Sequence, residues 1–162
     1  MALSEGRIKF DLTAKHTITS GIGASAADTS IEHKLNLNQT VPSGTSLPAT
    51  VVGSFTVTLS SSTAFIDLNA LPIGNGATAD CTGLKLQCIA VKNPTGNATV
   101  TLSYGTSSAY SFAGTSYSQA VPAGGSALWF APEAAADVST SARYILATGT
   151  GSQTFHAMAI AG

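Results

Sequence analysis

The stretch that decides the fold class is LKLQCIAVKNPTGNATVTLSY, which runs from Leu84 to Tyr104. Apolar residues recur at every second position on each side of its centre, as they do in strands with one buried face. The centre contains Pro94, which fixes its own φ angle, and Gly96, which tolerates conformations that other residues avoid, so the chain can reverse there. Residues 89–91 are apolar on both parities and suit a strand covered on both faces. The stretch therefore predicts a central β-hairpin.

Alternating or short apolar runs recur along most of the chain. They occupy residues 7–13, 31–38, 51–59, 64–68, 110–112, 117–121, 127–131, 142–148 and 154–160. Turn residues separate these runs at roughly regular spacing, and no repeat of fixed period is visible. One short helix is expected near residues 132–137, where proline and an acid precede a run of alanines. The prediction is an all-β fold, an antiparallel two-sheet β-sandwich of jelly-roll-like form, with at most that one helix.

The domain organisation follows from the same pattern. Residues 1–30 are expected to form an N-terminal arm, with a first strand and a loop rich in Gly, Ala and Ser, and residues 31–162 the β-sandwich domain. The chain ends in an apolar run, Ala157 to Gly162, with no polar tail. That run has to be covered by its own sheet or by a neighbour.

Composition excludes several classes of function. Charged residues make up 9% of the 162 residues and the formal net charge is −1, so no basic surface for nucleic acid is expected. No secretory signal and no apolar run of membrane-spanning length is visible. A surface so poor in charge offers little resistance to contact with copies or partners, which favours assembly. Cys81 and Cys88 are interpreted as buried free thiols, with a tethered pair as the alternative.

Motifs that carry chemistry are weak or missing, so the sequence predicts a non-enzymatic protein with no catalytic, cofactor or metal residues. No G-x-S-x-G motif, complete dinucleotide fingerprint or metal-ligand spacing of His and Cys occurs. His33 shares the apolar parity of its strand and is interpreted as a packed histidine. A calcium site in one long loop stays open as an alternative, and its oxygen ligands would come from Asp67, Asn69, Asn75 and Asp80.

Aromatic residues are concentrated in one third of the chain. The candidates for a glycan site or for a subunit interface are Tyr104, Tyr110, Tyr117 and Trp129. Exposed rings in a row would bind sugars by stacking, whereas buried rings would serve the core, and Trp129 lies in the strongly apolar run ALWFA. Exposure of these rings separates the two interpretations.

Four turn and strand signals in the second half of the chain resemble small β-sandwich virion proteins of tailed phages. They are IDLNALP at 66–72, TGLKLQ at 82–87, KNP at 92–94 and PAGGS at 122–126, and the resemblance covers roughly residues 64–162. It implies a structural role as a capsid decoration protein, a minor capsid protein or a tail-associated component, located in the virion and made in the host cytoplasm.

The same resemblance implies the partners. They are copies of the chain itself, with a trimer favoured, and other virion proteins such as a major capsid protein. No nucleic acid and no membrane is expected as a partner. The alternative function is a carbohydrate-binding or adhesion module, which a phage tail could also contain, with a glycan as its ligand.

Overall fold

The computed structural model describes the backbone of residues 6–18 and 29–41, and the backbone and side chains of residues 49–73, 76–130 and 135–162. This part of the chain is almost entirely β-structure, as predicted. The strands are β1 (Gly6–Ile18), β2 (Thr29–Val41), β3 (Val51–Thr58), β4 (Thr63–Asp67), β5 (Leu71–Pro72), β6 (Thr78–Ala79), β7 (Leu86–Lys92), β8 (Val100–Tyr104), β9 (Ser118–Val121), β10 (Ser126–Phe130), β11 (Tyr144–Thr148) and β12 (Thr154–Ala161). A single 3-10 turn, Leu68–Ala70, follows β4.

Eight strands form two four-stranded antiparallel sheets. The first sheet has the order β10-β7-β12-β3, and the second has the order β4-β11-β8-β9. In chain order the first of the eight strands pairs with the last, the second with the seventh, the third with the sixth and the fourth with the fifth. That is the pairing of one long antiparallel hairpin rolled onto itself, which is the jelly-roll topology.

The core fills the space between the two sheets. Along β12 the buried positions alternate with exposed ones, so that Phe155, Ala157 and Ala159 face inward. Leu102 and Ile145 meet them from the second sheet and are completely buried in the same cluster. The alternation read from the sequence therefore identifies the inward face correctly.

The central hairpin predicted from residues 84–104 is wrong. β7 lies in the first sheet and β8 in the second, so the turn between them carries the chain across the sandwich. Asn93 is fully buried at this corner, and its Nδ2 donates to the carbonyls of Ala98 and Val121 at 2.9 Å each. Proline and glycine signal a reversal, but they do not determine which sheet receives the returning strand.

The short helix expected near residues 132–137 is not formed by residues 135–137, and residues 131–134 lie outside the described part of the chain. Tertiary hydrogen bonds take the backbone groups that a helix would use. The Ala135 carbonyl accepts from Lys85 Nζ, the Ala136 carbonyl accepts from Tyr110, and Val138 N donates to Leu84 O. Among the described residues, no helix is long and apolar enough to cross a membrane.

The N-terminal strands form a separate two-stranded ribbon. β1 and β2 pair over their full lengths of 13 residues, from Gly6 opposite Val41 to Ile18 opposite Thr29. The domain boundary expected at residue 30 falls inside this ribbon. Periodicity shows that a segment is a strand, but it does not identify the partner strand.

Candidate functional site

Tyr110 is part of the core and presents no ring face to a ligand. It is completely buried, and its hydroxyl accepts from the backbone N–H of Leu86 at 3.0 Å while it donates to the carbonyl of Ala136. Burial raises the pKa of the phenol, and the hydrogen bond from Leu86 opposes that change. This side chain ties β7 to the segment before β11.

The other three aromatic candidates are half-buried. The ring of Phe112 packs against Tyr117 at 4.4 Å and against the edge of Trp129 at 5.4 Å, measured between ring centroids. The buried Tyr117 hydroxyl has no hydrogen-bond partner among the described residues, and its burial raises the pKa of the phenol. Tyr104 lies at the end of β8, where its backbone N–H donates to Tyr117 O. The structure thus packs Tyr117 and Trp129 around Phe112, and the three half-buried candidates do not form an exposed row.

Two of the oxygens proposed as calcium ligands, those of Asp67 and Asp80, serve the local turns, and the buried Asn69 Oδ1 has no partner among the described residues. Asp67 Oδ1 accepts from the backbone N–H of Asn69 at 3.0 Å and caps the 3-10 turn. Asp80 Oδ1 accepts from both the backbone N–H and the hydroxyl of Thr82, which lowers the pKa of this carboxyl. Asn75 lies outside the described residues. Within the described ranges, no group of three or more His, Cys, Asp or Glu is placed to hold a metal ion.

The two cysteines are free and buried, as the sequence indicates. Burial raises the pKa of both thiols to about 11, with the charge of Asp80 contributing at Cys81. A thiol with so high a pKa is almost fully protonated at neutral pH and is a poor nucleophile.

The strongest candidate for a functional surface is the outer face of the first sheet. Two cross-strand rows of this face are largely apolar: Leu128, Ala90, Met158 and Ser54 form one, and Phe130, Cys88, Ile160 and Val52 form the other. The exposed or half-buried apolar members are here called the outer apolar patch: Val52, Ala90, Leu128, Phe130 and Met158. A contiguous apolar area on a sheet face marks an interaction surface more often than scattered apolar residues do.

The patch stands out among the described side chains. Four large apolar residues of this part are exposed, and three of them belong to the patch: Val52 at 37%, Leu128 at 38% and Met158 at 36%. The fourth is Phe65 on the second sheet. Exposed apolar surface of the first sheet is therefore concentrated on one face.

A polar row borders the patch. Ser126, Lys92, His156 and Thr56 lie side by side across the four strands of the sheet. The Thr56 hydroxyl and His156 Nδ1 form an exposed cross-strand hydrogen bond at 3.2 Å. An apolar area with a polar rim is the usual composition of a protein–protein interface.

The segment that enters β3 lies over the other end of the patch. Ala49 is buried and packs with Cys88 and Ile160 in a small second cluster, with Phe130 beside it. The backbone N–H of Thr50 donates to Ala161 O at 2.9 Å, which fixes this entry to β12. The chain that comes from the N-terminal ribbon thus reaches the sandwich at the patch.

The sequence contains a pattern that indicates the patch, although periodicity alone does not show whether the second face of these strands is covered. Residues 127–130 and 157–161 are apolar on both parities, and one parity is used by the core. A run that is apolar on both parities predicts a strand covered on both faces. On the first sheet the second cover is missing at Leu128 and Met158.

A shallow cleft separates the sheet edges β3 and β4. Its volume is about 260 Å³, and Phe55, Val57, Phe65 and Ile66 are among its lining residues. The one carboxylate in its lining, Asp67, already accepts the Asn69 N–H. The cleft therefore lacks the convergent polar groups of a small-molecule site.

Comparisons with protein-family models, with curated proteins and with solved structures find no match to this chain.

Proposed function

We propose that this protein is a non-enzymatic structural component of a phage virion, a capsid decoration protein, a minor capsid protein or a tail-associated protein, and that it acts by association with its own copies. The observation that carries the proposal is the outer apolar patch with its polar rim. It lies on a four-stranded sheet and presents exposed apolar side chains as contact area.

Two further observations support this role. The charged fraction of 9% leaves the surface with few groups that would oppose a close contact between copies. The turn signals that resemble tailed-phage virion proteins lie on strands and corners of the sandwich. In Lys92–Pro94, for example, the middle residue Asn93 is buried at the corner.

The carbohydrate-binding alternative requires aromatic ring faces that a sugar can reach. Tyr110 is buried and Phe112 packs between Tyr117 and Trp129, so little of the aromatic set is available for stacking. We therefore place self-association first, and a glycan array serves as the test of the alternative. Binding to a defined glycan that is lost in a Tyr104→Ala variant would favour the carbohydrate module.

Quantitative mass spectrometry of gradient-purified particles, from a host that expresses the gene, tests the virion role. We expect the chain to sediment with the particles in a fixed ratio to the major capsid protein and to stay with them after a high-salt wash. An apolar contact resists such a wash, because salt screens charges without weakening apolar burial. Absence of the chain from washed particles would contradict the virion role.

A further inference from the structure

The register of the N-terminal ribbon divides its positions into two sets. Phe10 lies opposite Leu37 and Leu12 opposite Leu35, so the apolar positions of both strands share one face of the ribbon. The intervening positions carry mostly charged and amide residues; Lys15, for example, lies opposite Glu32. The ribbon backbone therefore presents an apolar set of positions on one face and a polar set on the other.

A two-stranded ribbon of this kind needs a cover. In water an isolated pair of strands is marginally stable, and a third strand or a packed layer is required for a stable structure. Among the described strands, β1 and β2 pair only with each other, and no strand of the sandwich extends their sheet. The described part of a single chain thus gives the ribbon no third strand and leaves the outer apolar patch exposed.

The position of the ribbon on the chain relates these two surfaces. β2 ends at Val41, and the sandwich begins at Ala49, which packs on Cys88 and Ile160 beside the patch. The seven intervening residues span at most about 25 Å when extended. A symmetry axis close to the patch would bring the ribbon of one copy to the patch of its neighbour, and the reverse contact would follow from closed symmetry.

The area of the patch determines how many contacts between a ribbon and a patch a stable interface needs. Four strands about 4.8 Å apart and two rows of side chains give a surface of about 19 Å by about 13 Å, or about 250 Å². Covering it removes a similar area from the ribbon, so one contact buries about 500 Å². A specific interface needs about 1,000 Å² in total, which is reached only when each copy both gives a ribbon and receives one.

We propose that the outer apolar patch is the docking site for the N-terminal ribbon of a second copy of this chain, in a closed ring where every copy gives and receives one ribbon. The inference rests on the self-association proposed above and names the surfaces that carry it. A twofold dimer meets the area requirement, because it places both ribbon–patch contacts in one interface, whereas a ring of three has one contact of about 500 Å² in each interface.

Cross-linking between two kinds of full-length chain tests the proposal. One chain carries Leu35→Cys on the apolar set of the ribbon, and the other, distinguished by a mass tag, carries Ser54→Cys at the edge of the patch. The two are co-expressed so that ribbons can exchange, and a bismaleimide with a span of about 10 Å is added. The matched control replaces Ser54→Cys by Ser118→Cys, an exposed position on the second sheet. The native thiols are buried and protonated, so they contribute little background.

We expect a cross-linked pair containing both chains with Ser54→Cys, and at least tenfold less of it with Ser118→Cys. A chain carrying both Leu35→Cys and Ser54→Cys should form links between chains. A link within that chain would show that its own ribbon covers the patch, and equal yields with the two partner positions would show that the contact is not specific; each result overturns the proposal. If Leu35→Cys does not yield folded protein, Phe10→Cys occupies the same face and replaces it.

Light scattering on the same samples separates the two proposals. An oligomer without the specific cross-link overturns the ribbon exchange and leaves self-association standing. A mass of one chain for the wild-type protein overturns self-association itself.

Discussion

Leu128 and Met158 lie on opposite sides of Ala90 in a single cross-strand row, on the face of the first sheet that the core does not use. Both side chains are more than one third exposed. A row of this kind costs free energy in water, because complete burial of a large apolar side chain is worth about 1.5–3 kcal/mol and roughly a third of that gain is still open to each of these two residues. The relationship predicts a partner that covers the row.

A charge in this row should weaken self-association. Met158→Asp places a carboxylate at the centre of the patch, where the interface would bury a charge without a partner, and we expect the dissociation constant to rise by at least about tenfold. Analytical ultracentrifugation measures the change. Thr56→Asp is the control, since Thr56 is exposed on the same face in the polar row. An equal effect of the two substitutions would mean that net charge, not the patch, controls the association.

The corner between β7 and β8 should depend on the amide of Asn93. Asn93→Ala leaves the carbonyls of Ala98 and Val121 without the donor that they have now, and it also removes the acceptor of Asn97 Nδ2. We expect the free energy of unfolding to fall by about 2–4 kcal/mol, measured by urea denaturation. Thr95→Ala, exposed in the same turn, should change it by less than about 0.5 kcal/mol. A comparable loss in both variants would show that the amide is not the stabilising group.

Two tyrosines should respond in opposite ways to loss of the hydroxyl. Tyr110→Phe removes both the acceptor of the Leu86 N–H and the donor to the Ala136 carbonyl, so unfolding should become easier by about 1–3 kcal/mol. Tyr117→Phe removes a buried hydroxyl that has no partner among the described residues, so stability should stay constant or rise. Thermal unfolding of the two variants, each against wild type, makes the comparison. A loss in Tyr117→Phe as large as that in Tyr110→Phe would contradict the hydrogen-bond assignment.

Alkaline pH should destabilise the fold through the two thiols. In the folded chain the pKa of Cys81 and of Cys88 is about 11, above the ordinary value of 9.0 that applies when the chain is unfolded. Below about pH 9 both states keep the proton, and the stability is independent of these groups. Between about pH 9 and 11 the unfolded state loses protons that the folded state retains, so the free energy of unfolding decreases as the pH rises.

The contribution is on the order of 2 kcal/mol for each thiol at the upper end of that range. Urea denaturation at several pH values measures the slope, and a chain with Cys81→Ala and Cys88→Ala should lose most of it. The raised pKa values of Tyr110 and Tyr117 add a slope of the same sign at still higher pH, and that part should remain. An unchanged slope between pH 9 and 10 in the double variant would contradict the assignment to the cysteines.

Strand positions were the part of the fold that the sequence predicted well. In β12 the exposed and buried positions follow the alternation of TFHAMAI, and β7 is covered on most of both faces, as its double parity indicates. The pairing of strands was not predictable in the same way. Asn93 to Asn97 read as the turn of a hairpin, yet the buried Asn93 amide holds a corner between two sheets, and only tertiary packing decides between these outcomes.

The residues of the candidate site were also predicted only in part. The packing of Trp129 follows from its apolar surroundings, because a large ring in such a run is usually packed, whereas the complete burial of Tyr110 in a serine-rich stretch was not predicted. Leu128 and Met158 are apolar in the same runs as buried neighbours, and periodicity reports that both faces need a cover without identifying the cover. The ribbon register supplies a candidate for it, since Phe10 and Leu12 lie opposite Leu37 and Leu35.

The most direct measurement is the mass of the purified wild-type chain, determined by light scattering behind a sizing column. We expect one species whose mass is an integral multiple of the chain mass, two chains for the ribbon exchange or three for the trimer favoured from the sequence, and a shift towards one chain in Met158→Asp but not in Thr56→Asp. A wild-type mass of one chain across the accessible concentrations would contradict the account, because the outer apolar patch would then remain uncovered in solution.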